Sequence, residues 1–238
     1  EDYSKYIYAI ETGLSSDPAN NWRVSMLDSI SLISNSDCHS PSKLGREANV
    51  FDTELNYYSI LEAIKNKDPE KFLYTIEFFP EEGKYHYDGH RNCGISFSPK
   101  QSKEHNNICP ICKKPLTIGV LNRIEELADR EEGQKPKKII PFKSLIPLIE
   151  IIAEVLKVNS LSLKVKKEYE KLIKSFSNEF DILLNIKKNE LNQVVSPEIT
   201  QAIIQVREGR VILEPGYDGV YGKIKLFSNN NNPQKKLF

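Results

Sequence analysis

The sequence predicts a mixed chain: an α/β region, then a zinc-ribbon-like module, then a helical region closed by a β-hairpin. Three observations predict it. Short apolar runs punctuated by glycine, proline and serine fill the first eighty residues. Three of the four cysteines cluster between positions 93 and 112, beside a histidine. Beyond position 143, apolar residues recur at helical spacing. The expected parts are residues 1–80, 81–120 and 121–227, with a tail at 228–238 whose asparagine run reads as disordered.

Each element has its own signal. Residues 7–10 read as a short buried strand ending at Glu11, and 12–21, with glycine, serines and Pro18, as a loop. Residues 23–29 predict a short helix and 31–34 a second strand. Residues 54–66 predict a helix, because Tyr57, Ile60, Leu61 and Ile64 fall on one face. Residues 72–79 read as a strand, and 83–119 as the cysteine module, followed by a helix over 122–129. Residues 143–157 and 163–186 carry helical apolar stripes. Ser196 before Pro197 has the cap-then-proline signature of a helix start, and Gly209 stops that helix after Glu208. Residues 210–214 and 220–227 are β-rich and flank the turn P-G-Y-D-G at 215–219.

Composition excludes several classes. The 238 residues are 39% hydrophobic and 28% charged, ordinary for a globular chain. Lys+Arg is 33 and Asp+Glu is 33, so no global positive field advertises nucleic acid, although 135–143 and 164–174 are lysine-rich. No apolar run approaches the ~18 residues of a membrane span and no signal-peptide pattern opens the chain, which predicts a cytoplasmic protein without a membrane partner. The first residue is Glu1 and the single methionine is Met26, so the expectation is a chain that starts inside a longer gene product.

The cysteine module carries the clearest chemistry. Cys109 and Cys112 form a C-x-x-C knuckle, and His90 and Cys93 repeat its spacing upstream, with fifteen residues between Cys93 and Cys109. Ligands two residues apart can face one ion from a tight turn, and two such turns complete the tetrahedron of a structural zinc site. Gly89, Gly94, Pro110 and Pro115 mark the turns. A redox C-x-x-C would instead sit at a strand-to-helix junction. His86 and His105 compete with His90 for the fourth position, and spacing favours His90.

A second motif lies at the predicted carboxyl end of strand 31–34. Asp37 and His39 place a carboxylate and an imidazole side by side, both ligands for a hydrolytic metal ion. A D-x-H pair by itself is a weak signal and reads first as a capping aspartate and a surface histidine.

The string S-N-S-D-C-H-S-P at 34–41 resembles the last metal-binding motif of the PHP superfamily of phosphoesterases. The segments E-T-G-L-S-S-D-P at 11–18, K-L-G-R-E-A-N-V-F at 43–51, T-I-E-F-F-P-E-E-G-K-Y-H-Y-D-G-H at 75–90, V-L-N-R-I-E-E-L-A-D at 120–129 and E-P-G-Y-D-G-V-Y-G at 214–222 resemble endonuclease Q. This resemblance spans nearly the whole chain. It implies that residues 1–80 are the carboxyl-terminal remnant of a distorted PHP βα barrel. It also implies a DNA-repair endonuclease that nicks 5′ of a deaminated base, uracil or hypoxanthine, by metal-assisted hydrolysis with Zn2+, Mg2+ or Mn2+. Asp37 and His39 match the final metal-ligand pair, and Glu11 could line the site as a ligand or behind one. Cys38 departs from the alanine expected between the ligands and reads as a small buried residue. No Walker-type loop or helicase motif occurs.

One feature departs from the PHP pattern. The histidines are 39, 86, 90 and 105; none forms H-x-H and none precedes Glu11. The expectation is therefore that the front of the barrel is missing and that this chain alone is catalytically inactive. For DNA as partner, Tyr85, His86, Tyr87, Tyr217 and Tyr221 lie in glycine-bounded loops and suit an everted base. Arg91, Lys113 and Lys114 suit phosphate. The alternatives are a non-catalytic zinc-containing DNA-binding module and a small-molecule PHP phosphoesterase.

Overall fold

In the computed structural model, residues 3–227 are described; the predicted disordered tail at 228–238 lies outside them. Two compact units divide the chain. The first runs to Lys143 and includes Glu214–Lys223; the second runs from Ser144 to Leu213 and continues from Ile224.

The first unit opens with strand β1 (Ala9–Glu11), helix α1 (Pro18–Asn21) and strand β2 (Ser31–Ile33). β1 and β2 are parallel, with Glu11 opposite Ile33. Asp17 caps α1 by accepting from the Asn20 N–H at 2.8 Å, and Pro18 takes the first helical position, where its missing N–H costs nothing. The helix expected over 23–29 is instead a single 3-10 turn, Ser25–Leu27. Tertiary bonds override its propensity: Asp129 accepts from the Ser25 N–H at 2.8 Å, and the Arg23 guanidinium donates to Glu125 at 2.8 Å.

Strands β3 (Ala48–Phe51), β4 (Phe72–Glu77) and β7 (Phe142–Ser144) form a three-stranded sheet in the order β3-β4-β7, with β3 and β4 antiparallel. Helix α2 (Tyr57–Lys65) buries Ala63 beside Phe72 and Ile140, with Ile33, Phe51 and Ile64 packed around them. The Phe51 and Phe72 rings stack at 4.6 Å. Tyr57, placed on the apolar face by its spacing, is 71% exposed; the face that packs is centred on Ala63, one register away.

The cysteine module follows as β5 (Asp88–His90), β6 (Ile95–Phe97) and α3 (Pro99–Glu104), then α4 (Val120–Leu127). β5 and β6 are antiparallel with His90 opposite Ile95. α3 begins at a capping box between Ser98 and Gln101, with Pro99 as its first residue.

The second unit packs α5 (Leu148–Leu156), α6 (Leu163–Phe176), α7 (Glu179–Leu184), α8 (Lys188–Leu191) and α9 (Pro197–Arg207). Ile151, Ile152, Val165, Leu172, Ile182, Leu191, Ile199 and Ile203 are essentially inaccessible to water. The single helix expected over 163–186 is two helices. Ser177 adopts a positive φ of 71°, and Asn178 caps the new start by accepting from the Asp181 N–H at 2.9 Å. Glu179 then accepts from the Leu148 N–H at 2.7 Å and from the Tyr169 hydroxyl at 2.9 Å, which ties α5, α6 and α7 together. The Ser196-Pro197 start of α9 is as expected. Strands β8 (Ile212–Glu214) and β9 (Lys223–Lys225) pair as a two-stranded sheet.

Candidate metal centre

His90 ends β5, and a single 3-10 turn, Arg91–Cys93, brings Cys93 back beside it. Gly94 closes the turn at φ 65°, a left-handed conformation that glycine adopts without steric cost. The second knuckle is built the same way. The Lys113 N–H donates to the Cys109 carbonyl at 3.0 Å, and the Cys109 N–H to the Lys114 carbonyl at 2.8 Å. The segment that follows is pinned to β5, because Gly89 and Thr117 exchange backbone hydrogen bonds of 2.9 and 2.8 Å.

These turns converge. One donor atom each from His90, Cys93, Cys109 and Cys112 lies within 4.8 Å of all the others. One imidazole nitrogen and three sulfurs are the Cys3His set of closed structural zinc sites, so the residues fit such an ion. Burial, then the neighbouring Cys112 and Cys109 thiols, pushes the Cys93 thiol up to about 11. Burial also opposes ionisation of Cys109, but hydrogen bonds from the backbone N–H groups of Cys112 and Ile111 and from the Cys112 and Cys93 thiols together outweigh it and hold that thiol below its usual range. A divalent ion would favour all three thiolates together.

His86, the competing ligand, is 3% exposed, and burial pushes its pKa down to about 4. It is absent from the cluster, as is His105, whose ring stacks on Phe97 at 4.9 Å.

The loop at 214–222 returns to this module. Gly216 donates to the Glu81 carbonyl and Gly222 to the Glu82 carbonyl, at 2.8 and 3.1 Å, while Tyr87 donates to the Gly216 carbonyl at 2.9 Å. A Cβ on Gly89 would collide with the Tyr217 ring, and one on Gly222 with the Glu81 carbonyl oxygen. Asp218 accepts from the Thr117 hydroxyl at 2.6 Å and from the Arg91 N–H at 2.7 Å. Asp88, fully buried, accepts from the Gly119 N–H and the Asn122 amide, both at 2.6 Å, and fixes the start of α4. Sequence reasoning placed Asp218 in a turn and gave Asp88 no separate role. The signal lay in the tripeptide Tyr-Asp-Gly, which occurs at 87–89 and again at 217–219.

The aromatic candidates divide. Tyr85 and Tyr221 are 48% and 66% exposed, with Lys84 Nζ 5.1 Å from the Tyr221 ring centroid. Tyr87 and Tyr217 are half-buried in the packing between loop and module. Arg91 is exposed.

Asp37 and His39 follow β2, with Asp37 Oδ1 3.7 Å from His39 Nε2 and both side chains largely exposed. Glu11 is exposed at the matching end of β1. Two buried carboxyls lie near the end of β1, Glu77 at the end of β4 and Glu47 just before β3, and both escaped sequence reasoning. Glu77 accepts hydrogen bonds from the Thr12 hydroxyl at 3.0 Å and from that of Thr75. Burial raises its pKa to about 8, against those bonds. Glu47 is 3% exposed and is raised to about 7 by burial, with one carboxylate oxygen lacking a partner.

Residues 147–210, within the second unit, match the MJ0043 C-terminal domain family. The chain is 33% identical to protein MJ0043 of Methanocaldococcus jannaschii over 98% of its own length, and 32% identical to protein YqxK of Bacillus subtilis over 92%. It spans 29% of the first relative and 53% of the second. The crystal structure of the lesion-specific endonuclease PfuEndoQ from Pyrococcus furiosus superposes with a TM-score of 0.81 and 32% identity, over 90% of this chain and 54% of that one. The chain carries the endonuclease Q fold. Endonuclease Q in complex with a 27-mer duplex bearing an abasic lesion at its active site gives a TM-score of 0.77 at the same identity and coverage. Among the described residues, no helix is long and apolar enough to cross a membrane.

Proposed function

We propose that this chain is part of a DNA-repair endonuclease that nicks on the 5′ side of deaminated bases, uracil or hypoxanthine, by metal-assisted phosphodiester hydrolysis. The observation that carries the reading is the likeness to a lesion-specific endonuclease at a TM-score of 0.81 and 32% identity. The duplex in the second similar structure supports DNA as the partner.

In this reading β1 and β2 are the last strands of a PHP barrel, and Asp37 and His39 supply two donors to a hydrolytic Zn2+, Mg2+ or Mn2+ ion, with Glu11 beside them. Such an ion, held there, would supply Lewis-acid polarisation of the scissile phosphate and activation of the attacking water. Two protein donors are an incomplete set, so the remaining ligands come from residues outside this sequence. The cluster of His90, Cys93, Cys109 and Cys112 holds a structural Zn2+ ion. Tyr85 and Tyr221 stack on bases, Arg91 contacts phosphate, and Tyr87 and Tyr217 support that surface.

A second reading applies to the chain by itself. Among the described residues, the only cluster of three or more potential metal ligands is the Cys3His set. This favours a non-catalytic zinc-containing DNA-binding module when residues 1–238 act alone.

The test compares this chain with one extended to the length of its relatives, on duplexes carrying a single uracil or hypoxanthine. The extended protein should nick 5′ of the lesion with added divalent metal, and Asp37→Asn should reduce the rate at least a hundredfold. The present chain should bind without nicking. Nicking by the present chain, or full activity of the Asp37→Asn protein, overturns the assignment. Tyr221→Ala should weaken binding by about 1–3 kcal/mol if that ring stacks on a base.

A further inference from the structure

The Cys3His cluster joins two turns, and so does Asp218. Its Oδ2 accepts the N–H of Arg91, the residue after the ligand His90. Its Oδ1 accepts the hydroxyl of Thr117, on the segment that leaves the second knuckle. A metal ion would therefore fasten the two knuckles, and Asp218 fastens residues that directly adjoin or follow them. The loop bearing Asp218 has few other anchors at its tip. Tyr217 and Val220 exchange backbone hydrogen bonds with each other, and Gly219 donates to the Lys84 carbonyl at 2.8 Å. Asp218 itself sits at φ 43° and Gly219 at 85°, a turn that holds the carboxylate toward the knuckles. The Tyr217 ring lies against Gly89, where any side chain would displace it, so a shift of β5 would be felt directly by the loop.

We propose that Asp218 couples the metal centre to the 215–222 loop, so that metal occupancy sets the order of that loop and the loop in turn sets how tightly the metal is held. The inference rests on the reading of the cluster as a metal site. Two clamps on adjoining segments share the entropy of closing them, and the coupling between them is reciprocal. Asp218 is a positioning residue: it touches a backbone amide and a hydroxyl, not a ligand side chain. The consequence is local. Loss of metal would loosen the surface that displays Tyr221 and Lys84, while α2, β3 and β4 would keep their structure.

The experiment has two arms and a control, all on the full 238-residue chain. Metal analysis comes first: one Zn2+ per chain is expected. Zinc-free protein would overturn the metal reading and the coupling with it. Amide hydrogen exchange is then followed with zinc and after chelation. Protection at 216–222 should fall at least tenfold while β4 is unchanged. Equal loss in β4 would mean general unfolding and would overturn the proposal, as would unchanged protection of the loop. The second arm measures zinc affinity by chelator competition. Asp218→Gly, which suits the positive φ, and Thr117→Val should each weaken zinc binding, with Asp218→Gly costing roughly tenfold or more. Zinc bound by Asp218→Gly with unchanged affinity would overturn the coupling and leave the metal site standing.

Discussion

The His90 imidazole Nδ1 stands 3.6 Å from the Cys112 sulfur, across two turns separated by 22 positions in sequence. Neither turn has an apolar core of its own: Arg91, Ile111 and Cys112 are all exposed. What holds the turns together must therefore be ligand chemistry and backbone hydrogen bonds. A metal ion bound there would supply the first, and its binding free energy would become folding free energy.

Cysteine replacement follows from that geometry. Cys109 is fully buried and accepts N–H groups from its own knuckle, so Cys109→Ala removes a ligand and leaves a small cavity. The expected outcome is loss of stoichiometric zinc and a marked fall in thermal stability of the first unit. Cys38→Ala, outside the cluster, should change neither. Metal content by mass spectrometry and melting curves with and without chelator check this.

A pH effect arises from Glu77. Its folded pKa is about 8 against an ordinary 4.5, so between those values the folded state binds more protons than the unfolded one. Stability therefore falls as pH rises through this window. Glu47, raised to about 7, acts in the same direction. The expected loss is about 1–3 kcal/mol between pH 5 and pH 8, because relaxation around a buried carboxylate reduces the full cost of charging it. Glu77→Gln should stabilise the protein at pH 8 and flatten the profile. Urea denaturation across that range measures it, and a steeper profile in the variant would refute the assignment.

Arg207 should prove important to the second unit. Its guanidinium donates to the carbonyls of Ile182, Leu183 and Ile186, at 2.9, 3.0 and 2.9 Å, which satisfies the carboxyl end of α7. Arg207→Met leaves those acceptors without their donor and should cost about 2–4 kcal/mol. Arg207→Lys should recover only part, since an ammonium cannot reproduce the planar fork. Exchange of α7 amides should accelerate in the methionine variant before that of α5.

The sequence by itself determined whatever depends on neighbours along the chain. The spacing of His90, Cys93, Cys109 and Cys112 named the cluster, because two-residue gaps fit a turn in any surroundings. The Ser196-Pro197 start of α9, the turn at Gly94 and the helix stop at Gly209 were legible for the same local reason, and both glycines prove left-handed. Tertiary structure alone decided the rest. The stripe over 163–186 looked like one helix because apolar periodicity carries across the break; only Asn178 and the positive φ of Ser177 divide it. Residues 23–29 lost their helix to Asp129 and Glu125, about a hundred positions away, and no local pattern records such partners. Burial gave Glu47 and Glu77 their raised pKa values, and burial belongs to the assembled sheet and not to the letters. Asp218, which we propose supports the metal centre, lies more than a hundred residues beyond its partners Thr117 and Arg91. That proposed role depends on the chain returning to the first unit at Glu214–Lys223, between two stretches of the second.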